Sequence, residues 1–285
     1  MARPSYNLPL EVLEKIFSYV DSKCLILKCR LVCKQWQELV DDDVLIRRAL
    51  KTAKEREMFQ DVDLGIREFY EIENYFGKNL IQNANFDLQP MNIASAFVSS
   101  LSPTFVRNRG IPHWKTRGPY QREKPPIGTE GESIPIHILK KNGIADIKNM
   151  PAIVTSYSGT QQYQDIVLSD LRISDTVMDE IQPVIVAEEW IGTRFDCGNS
   201  YILELQLFRK NCDRPVHTKS LHINTRCLGN GVWRKVCITM GHYGKGVRKI
   251  RFIRKGQDNQ FWAGFYGTKF AFCRVHLQLP KANYK

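Results

Sequence analysis

The chain has 285 residues, room for about two domains, and its 43% hydrophobic and 25% charged content is ordinary for a globular protein. No run of about 18 apolar residues occurs, which argues against a membrane-spanning helix, and neither the apolar region nor the small-residue cleavage site of a secretory signal is visible at the N-terminus. The net charge of +11 is uneven: residues 1–75 carry a net of −2 and the remainder +13, so a basic second half brings nucleic acid into the set of partners to weigh.

Two short helices are predicted first. Pro9 fits just inside the start of one, where its missing N–H costs nothing. Leu13, Ile16, Phe17 and Val20 follow at i, i+3, i+4 and i+7, a single helix face. Asp21 and Ser22 are N-cap residues for the next helix. There Leu25, Cys29, Val32, Cys33, Trp36 and Val40 make one stripe, and Leu27 with Leu31 makes a second on another side. A helix with two apolar faces is covered on both, and a unit this small buries too little surface to fold alone. One of those faces therefore needs another protein, while Trp36 is placed inside the unit. A charged helical connector is expected from about Asp42 to Tyr75, with its charges on a solvated face.

From Phe76 onward the period changes to two. Tyr201, Leu203, Leu205 and Leu207 share one face of YILELQLF; Ala271, Cys273, Val275, Leu277 and Leu279 share one face of the last run; Ile250 and Phe252 point inward, with Lys249 and Arg251 outward. WRKVCITM reads the same way. Asn230-Gly231 and Gly244-Lys-Gly246 are turn signals between such runs. Short alternating strands with turns between them predict an antiparallel β-sandwich. Residues 84–135, with their Pro, Gly and Ser clusters, read largely as a long loop. Trp190 and Trp233 are placed in the core.

The eight cysteines include no CxxC pair, so a zinc site has no ligand spacing behind it and reduced, buried thiols are expected. His217 and His222 lack supporting ligands nearby, and neither a metal nor a cofactor is expected. Glu188 and Glu189, as strand neighbours, would point apart, against the paired carboxyls of a glycoside hydrolase. GxSxG, HExxH and GxxxxGK[ST] strings do not occur. A non-catalytic protein is therefore expected. The basic run Lys245, Arg248, Lys249, Arg251, Arg254 and Lys255 reads first as a solvated strand face, next as a contact for an acidic protein, and last as a phosphate-binding surface.

Leu8-Pro9, the helix after it, and Val32-Cys33-x-x-Trp36 resemble an F-box over about residues 6–50; Leu45-Ile46 stands where that motif closes on Leu-Trp. The segments 76–83, 154–157, 184–207, 243–252 and 256–267 resemble the F-box-associated domain of sugar-recognising F-box proteins, most specifically at Gly256, Gln257, Asp258, Trp262, Gly264 and Gly267. The resemblance implies a multidomain α+β protein: a three-helix F-box at 1–50, a helical linker at 51–75, and an antiparallel β-sandwich of jelly-roll or galactose-binding-like type at 76–281. It implies docking on a Skp-type adaptor, and through it on cullin and RING subunits of a ubiquitin ligase. Leu8, Pro9, Ile16, Leu27, Val32 and Trp36 are the adaptor-binding candidates. Family members of this kind bind the chitobiose core of N-glycans, and position by position the glycan-binding candidates are Tyr157, Asp196, Phe261 and Trp262. Ala263 stands where one member has Lys. Aromatic rings suit the C–H faces of sugars, and a carboxylate suits their hydroxyls and acetamide N–H.

The expected role is thus a cytoplasmic substrate receptor for glycoproteins. A receptor for a protein degron is the alternative, and a nucleic-acid-binding protein ranks below both. The two aromatics at 261–262, Tyr157 and Asp196 each have a structural alternative as packing or turn residues.

Overall fold

The computed structural model describes residues 8–60, 62, 64–84, 86, 111–123, 151–194, 196–225 and 233–280. Helix α1 (Leu10–Phe17) follows Pro9 and buries Leu13 and Phe17. Asp21 caps α2 (Ser22–Leu27), its Oδ1 accepting from the Cys24 N–H at 2.9 Å. The segment expected as one helix is broken here. Lys28 leaves helical geometry at φ −128°, Cys29–Leu31 makes a 3₁₀ turn, and Cys33 is extended at φ −160° ahead of α3 (Lys34–Leu39). The break splits the stripe: Leu25 and Val40 are buried, Cys29 and Trp36 half-buried, and Val32 and Cys33 exposed. Trp36 meets the edge of Phe17 at 4.9 Å between centroids. A wide turn at Val40–Val44 and α4 (Leu45–Ala49) close the unit.

The connector forms α5 (Ala53–Met58), opened by a Thr52/Glu55 capping box, and α6 (Ile66–Tyr75). Its charges do not form a wholly solvated face, because α6 lies between two bodies. Glu73 accepts from the Ser22 hydroxyl and pairs with Arg48 at 3.8 Å, tying α6 to the N-terminal unit. Glu71 is buried; its carboxylate takes Arg67 at 2.8 Å and the Ser174 N–H at 2.8 Å, tying α6 to the sandwich. Just beyond α6, the Gly77 and Leu80 N–H groups donate to Leu277 and Val275 carbonyls at 2.9 and 2.7 Å. The buried apolar cluster runs without interruption from Leu13 through Phe69 and Ile72 into the sandwich.

Ten strands follow among the described residues. They are β1 (Lys115–Arg117), β2 (Tyr120–Glu123), β3 (Ala152–Thr155), β4 (Thr160–Val167), β5 (Val184–Gly192), β6 (Asn199–Arg209), β7 (His217–Thr225), β8 (Arg234–Met240), β9 (Val247–Asp258) and β10 (Lys269–Gln278). One sheet has the order β1-β4-β9-β6-β7 and the other β2-β3-β10-β5-β8, every pairing antiparallel. The expected sandwich is present, and most of the expected inward set faces the core: Tyr201, Leu203, Leu205, Leu207, Ile250 and Phe252 face Ile185, Ala187, Cys273, Val275 and Leu277, but a bulge in β10 between Ala271 and Arg274 breaks the parity, so Phe270 rather than Ala271 joins them. Trp190 and Trp233 are buried, as expected. Gly244 and Gly246, at φ +72° and +95°, make the expected turn into β9. The Asn230-Gly231 turn and most of 84–135 lie outside the described residues. Within 84–135, however, 115–117 and 120–123 are strands; the runs KTR and YQRE are too short and too polar to display an alternation. The thiols also depart from expectation, since Cys33 and Cys237 are exposed, while Cys197 and Cys273 are buried.

The basic run is only partly a solvated face: Lys245 and Lys255 stay open to solvent, but the arginines of β9 do not. Arg248 grips Asp179 at 2.7 and 2.8 Å and pairs with Asp175 at 2.7 Å. Arg251 pairs with Asp165 at 2.9 Å, Lys245 with Glu180 at 2.6 Å, and Lys249 lies over the Phe208 ring at 4.3 Å. Arg254 is wholly buried. It pairs with Glu189, donates to Gln162 Oε1 at 2.7 and 3.0 Å, and sits against the rings of Trp114, Phe86 and Phe270 at 4.3, 4.5 and 4.9 Å. Tyr201 donates its hydroxyl to Glu189 at 2.8 Å. Glu188 faces the other way, to Lys235 at 2.8 Å, so the two neighbouring glutamates do point apart.

Candidate functional site

The sandwich has two ends of different character. At one, α6 docks beside the turn Val177–Ile181 and the end of β10. At the other, three connections come together: β3–β4, β5–β6 and β9–β10. Hydrogen bonds stitch them to one another. Gln257 Nε2 donates to the Tyr157 carbonyl at 2.7 Å, the Asn259 N–H to the Gly198 carbonyl at 2.9 Å, and Gln260 Nε2 to the Asp196 carbonyl at 3.1 Å. Tyr157, Asp196 and the Phe261-Trp262 pair, dispersed over more than a hundred residues of sequence, therefore meet at one end of one sandwich.

The β9–β10 connection is built to display its aromatics. Asp258, buried at the end of β9, accepts from the Gln260 and Phe261 N–H groups at 3.0 and 2.6 Å through Oδ1. That turn throws Phe261 into the left-handed region at φ +57°, and the chain leaves its strand path before Trp262. Two adjacent aromatics on a strand would face opposite ways; here both are outside, Phe261 at 69% exposure and Trp262 at 41%, with Tyr157 at 43%. Gly264, at φ +141°, passes so close to Tyr266 that a Cβ would lie 2.6 Å from its ring. Tyr266 in turn holds the edge of Trp262 at 5.8 Å.

Asp196 is not a free carboxylate. Arg194 grips both its oxygens at 2.7 Å, and the same guanidinium lies over the Tyr266 ring at 4.8 Å. The Arg194 hydrogen bonds hold the Asp196 carboxyl below the usual carboxylate range, so it is anionic at neutral pH. With two lone-pair sites taken, its oxygens keep capacity for further donors. Arg194 and Tyr266 were not among the sequence candidates. The Arg-x-Asp spacing at 194–196 was the available signal for the first; Tyr266 carried none beyond its place in a Gly-flanked loop.

The N-terminal candidates lie on a different surface. Leu8, Pro9, Ile16, Leu27 and Val32 are exposed, with Leu10, Val12, Tyr19 and Leu31 exposed beside them on the same unit, while Trp36 is half-buried against Phe17. So much exposed aliphatic surface on a few short helices marks an interaction face. Among the described residues no cluster of His, Cys, Asp and Glu could hold a metal ion, and no helix is long and apolar enough to cross a membrane. His217 and His222 instead contact the Tyr243 carbonyl and the Ser220 hydroxyl, at 2.8 and 3.2 Å.

The pairing of this helical unit with this sandwich recurs in known proteins. The family model described as F-box-like matches residues 6–52, and that of the F-box associated region matches residues 72–277, most of the chain. The chain is an F-box protein with an F-box-associated region. This F-box protein is 28% identical to F-box only protein 6 of Rattus norvegicus over 92% of its own length and 83% of the relative's. It is 27% identical to F-box only protein 44 of Homo sapiens over 96% of both chains. Among solved structures, TmCBM61 in complex with β-1,4-galactotriose overlaps 71% of this chain and 100% of its own with a TM-score of 0.38 and 9% identity, a slight likeness.

Proposed function

We propose that this F-box protein is the substrate receptor of a Skp–cullin–F-box ubiquitin ligase, acting in the cytoplasm, and that the far end of its sandwich holds the chitobiose core of N-linked glycans. The exposed leucines and valine around α1 and α2, with Leu8, Pro9, Ile16 and Trp36, take the Skp-type adaptor, which brings cullin and RING subunits. The receptor performs no bond chemistry; it raises the concentration of substrate near the ubiquitin carrier. The observation that carries the glycan reading is the convergence of exposed Tyr157, Phe261 and Trp262 around the anionic Asp196. The rings offer faces for sugar C–H groups, and the carboxylate accepts from an acetamide N–H or a hydroxyl. Contacts of this kind, at ~0.5–1.5 kcal/mol per ring and ~1.5–3 kcal/mol for the charged hydrogen bond, support weak binding of one glycan core.

Titration with N,N′-diacetylchitobiose tests this. Saturable binding that Trp262→Ala reduces at least tenfold is expected; no binding by the intact protein would sink the glycan reading. A second reading keeps the ligase role and puts a protein degron at the same end. It is favoured by the Arg194 fork on Asp196 and by Ala263 where a glycan-binding relative has Lys. Nucleic acid has less support, because the arginines of β9 are met by the chain's own carboxylates.

A further inference from the structure

On the outer face of the β1-β4-β9-β6-β7 sheet, beside the aromatic end, lies a groove of about 400 Å³. The strand register lays out its floor. Arg117 stands opposite Gln161, Gln161 opposite Lys255, and Lys255 opposite Ile202, so one row crosses four strands with its side chains on the same face. A second row nearer the aromatics pairs Gln257 with Ser200. The turn Ser158-Gly159 closes that side; Gly159 has φ +78°, and a Cβ on it would meet the Gln257 amide at 3.6 Å and the Gly256 carbonyl at 4.0 Å. Gly118 packs directly on the Gly159 carbonyl, which leaves no room for a side chain and fixes the β1–β2 turn as the groove's end.

The charge of this groove is one-sided. Its described walls carry two cations and no carboxylate. Arg117 makes no ion pair with any described residue, and the carboxylate nearest Lys255 among its ion pairs is Glu204, at 3.9 Å, off the walls. This sets the groove apart from the rest of β9, where Arg248, Arg251 and Arg254 are each locked to an acid of the same chain. Around the two cations stand neutral groups able to donate hydrogen bonds: Gln161, Gln257, Ser158 and Ser200. Gln257 is shared between the two surfaces, because its amide also holds the Tyr157 carbonyl.

We infer that this groove binds a carboxylate, gripped by Arg117 and Lys255 across β1 and β9 and oriented by the surrounding amides and hydroxyls. The carboxylate belongs to the captured substrate, seated next to whatever the aromatic end holds; only this attribution rests on the receptor reading. An acidic amino-acid side chain and an acidic sugar present the same group, and the volume admits a ligand of that size.

The full chain, with backbone amides followed by NMR, would be titrated with N-acetylglutamate N-methylamide and with glucuronic acid. The corresponding glutamine derivative, glucose and inorganic phosphate serve as comparisons. Either carboxylate should move the amides of Gly159, Ser200 and Gly256, with binding that weakens as salt rises. Arg117→Gln and Lys255→Gln should each weaken it about tenfold. Whichever of the two acids binds identifies the source. Equal shifts from the neutral analogues, tighter binding of phosphate, no binding of either acid, or full affinity in both variants would overturn the inference. Trp262→Ala should leave carboxylate binding intact while weakening chitobiose binding at least tenfold, so failure at the aromatic end and failure at the groove are told apart.

Discussion

Arg254 carries the sharpest lesson at the residue scale. It has the same strand parity as Ile250 and Phe252, which read as inward, yet within a basic run its charge argues for solvent. Parity won, and the energetic consequence is a guanidinium with 0% exposure. Burial raises the carboxyl pKa of Glu189, and the Arg254 charge and the Tyr201 hydroxyl oppose that rise. Such a pair is worth little against well-packed apolar residues but is costly to break singly. Arg254→Leu should therefore destabilise the protein by ~3–5 kcal/mol, whereas Arg254→Met with Glu189→Leu should recover most of the loss. Urea unfolding of the three proteins distinguishes this from simple additivity. Asp258 makes a parallel case at the site. Its Oδ1 accepts from two successive N–H groups of the turn before Trp262, so under the glycan reading Asp258→Ala should lower chitobiose affinity several-fold with every aromatic still present, as titration beside Trp262→Ala would reveal.

At the scale of elements, the long strands were legible and the short or broken pieces were not. β6 alternates from Asn199 through Leu207 and β8 from Lys235 through Met240, enough for period two to stand out, while β9 alternates only in shorter stretches. β1 and β2 have three and four residues and exist because β4 and β3 offer them free edges, which is tertiary information. The break after α2 likewise depends on backbone angles at Lys28 and Cys33 that no apolar stripe encodes. The site was legible as residue types; its convergence, and the Arg194 fork on Asp196, needed the fold. The turn Val177–Ile181 is held to β9 by Asp179, which accepts from the Gly246 N–H at 2.7 Å as well as from Arg248. The Arg248 hydrogen bonds hold the Asp179 carboxyl below the usual range. As pH falls, the unfolded chain takes up this proton before the folded one does, so the stabilisation is complete above about pH 4 and is lost below it. Asp179→Asn should thus be less stable than the parent by ~1–3 kcal/mol at pH 7, and the gap should close on acidification below about pH 4. Unfolding free energies measured across that range check the sign; a gap that widens in acid would contradict it.

On the scale of the whole molecule, the surface proposed for the adaptor and the end proposed for the substrate are separated by the length of the sandwich. β9 alone has 12 residues, which at about 3.3 Å each spans roughly 40 Å between the α6 side and the aromatic side. Under the receptor reading, tethering over that distance is useful only if the sandwich keeps its aim, and α6 is the element that bridges the two bodies. One face of it is tied to the N-terminal unit through Glu73, with Ser22 and Arg48, and another to the sandwich through Glu71, with the Ser174 N–H. Arg48 extends the first tie by donating to the Val20 carbonyl at 2.6 Å. Replacing both glutamates by alanine removes these ties without touching the exposed leucines of α1 and α2 or the aromatic end. Leaving the Ser174 N–H without its acceptor costs ~1–3 kcal/mol locally, an amount that loosens a joint rather than unfolding a chain with a continuous core. Under the receptor reading, the double variant should bind adaptor and chitobiose with unchanged affinity, yet transfer ubiquitin to a tethered substrate several-fold more slowly, because effective concentration falls when orientation is lost. Hydrogen exchange should rise in α6 and in 172–176 alone. Unchanged transfer together with raised exchange would mean that the ligase tolerates a loose joint and that α6 serves only to fasten the two bodies together.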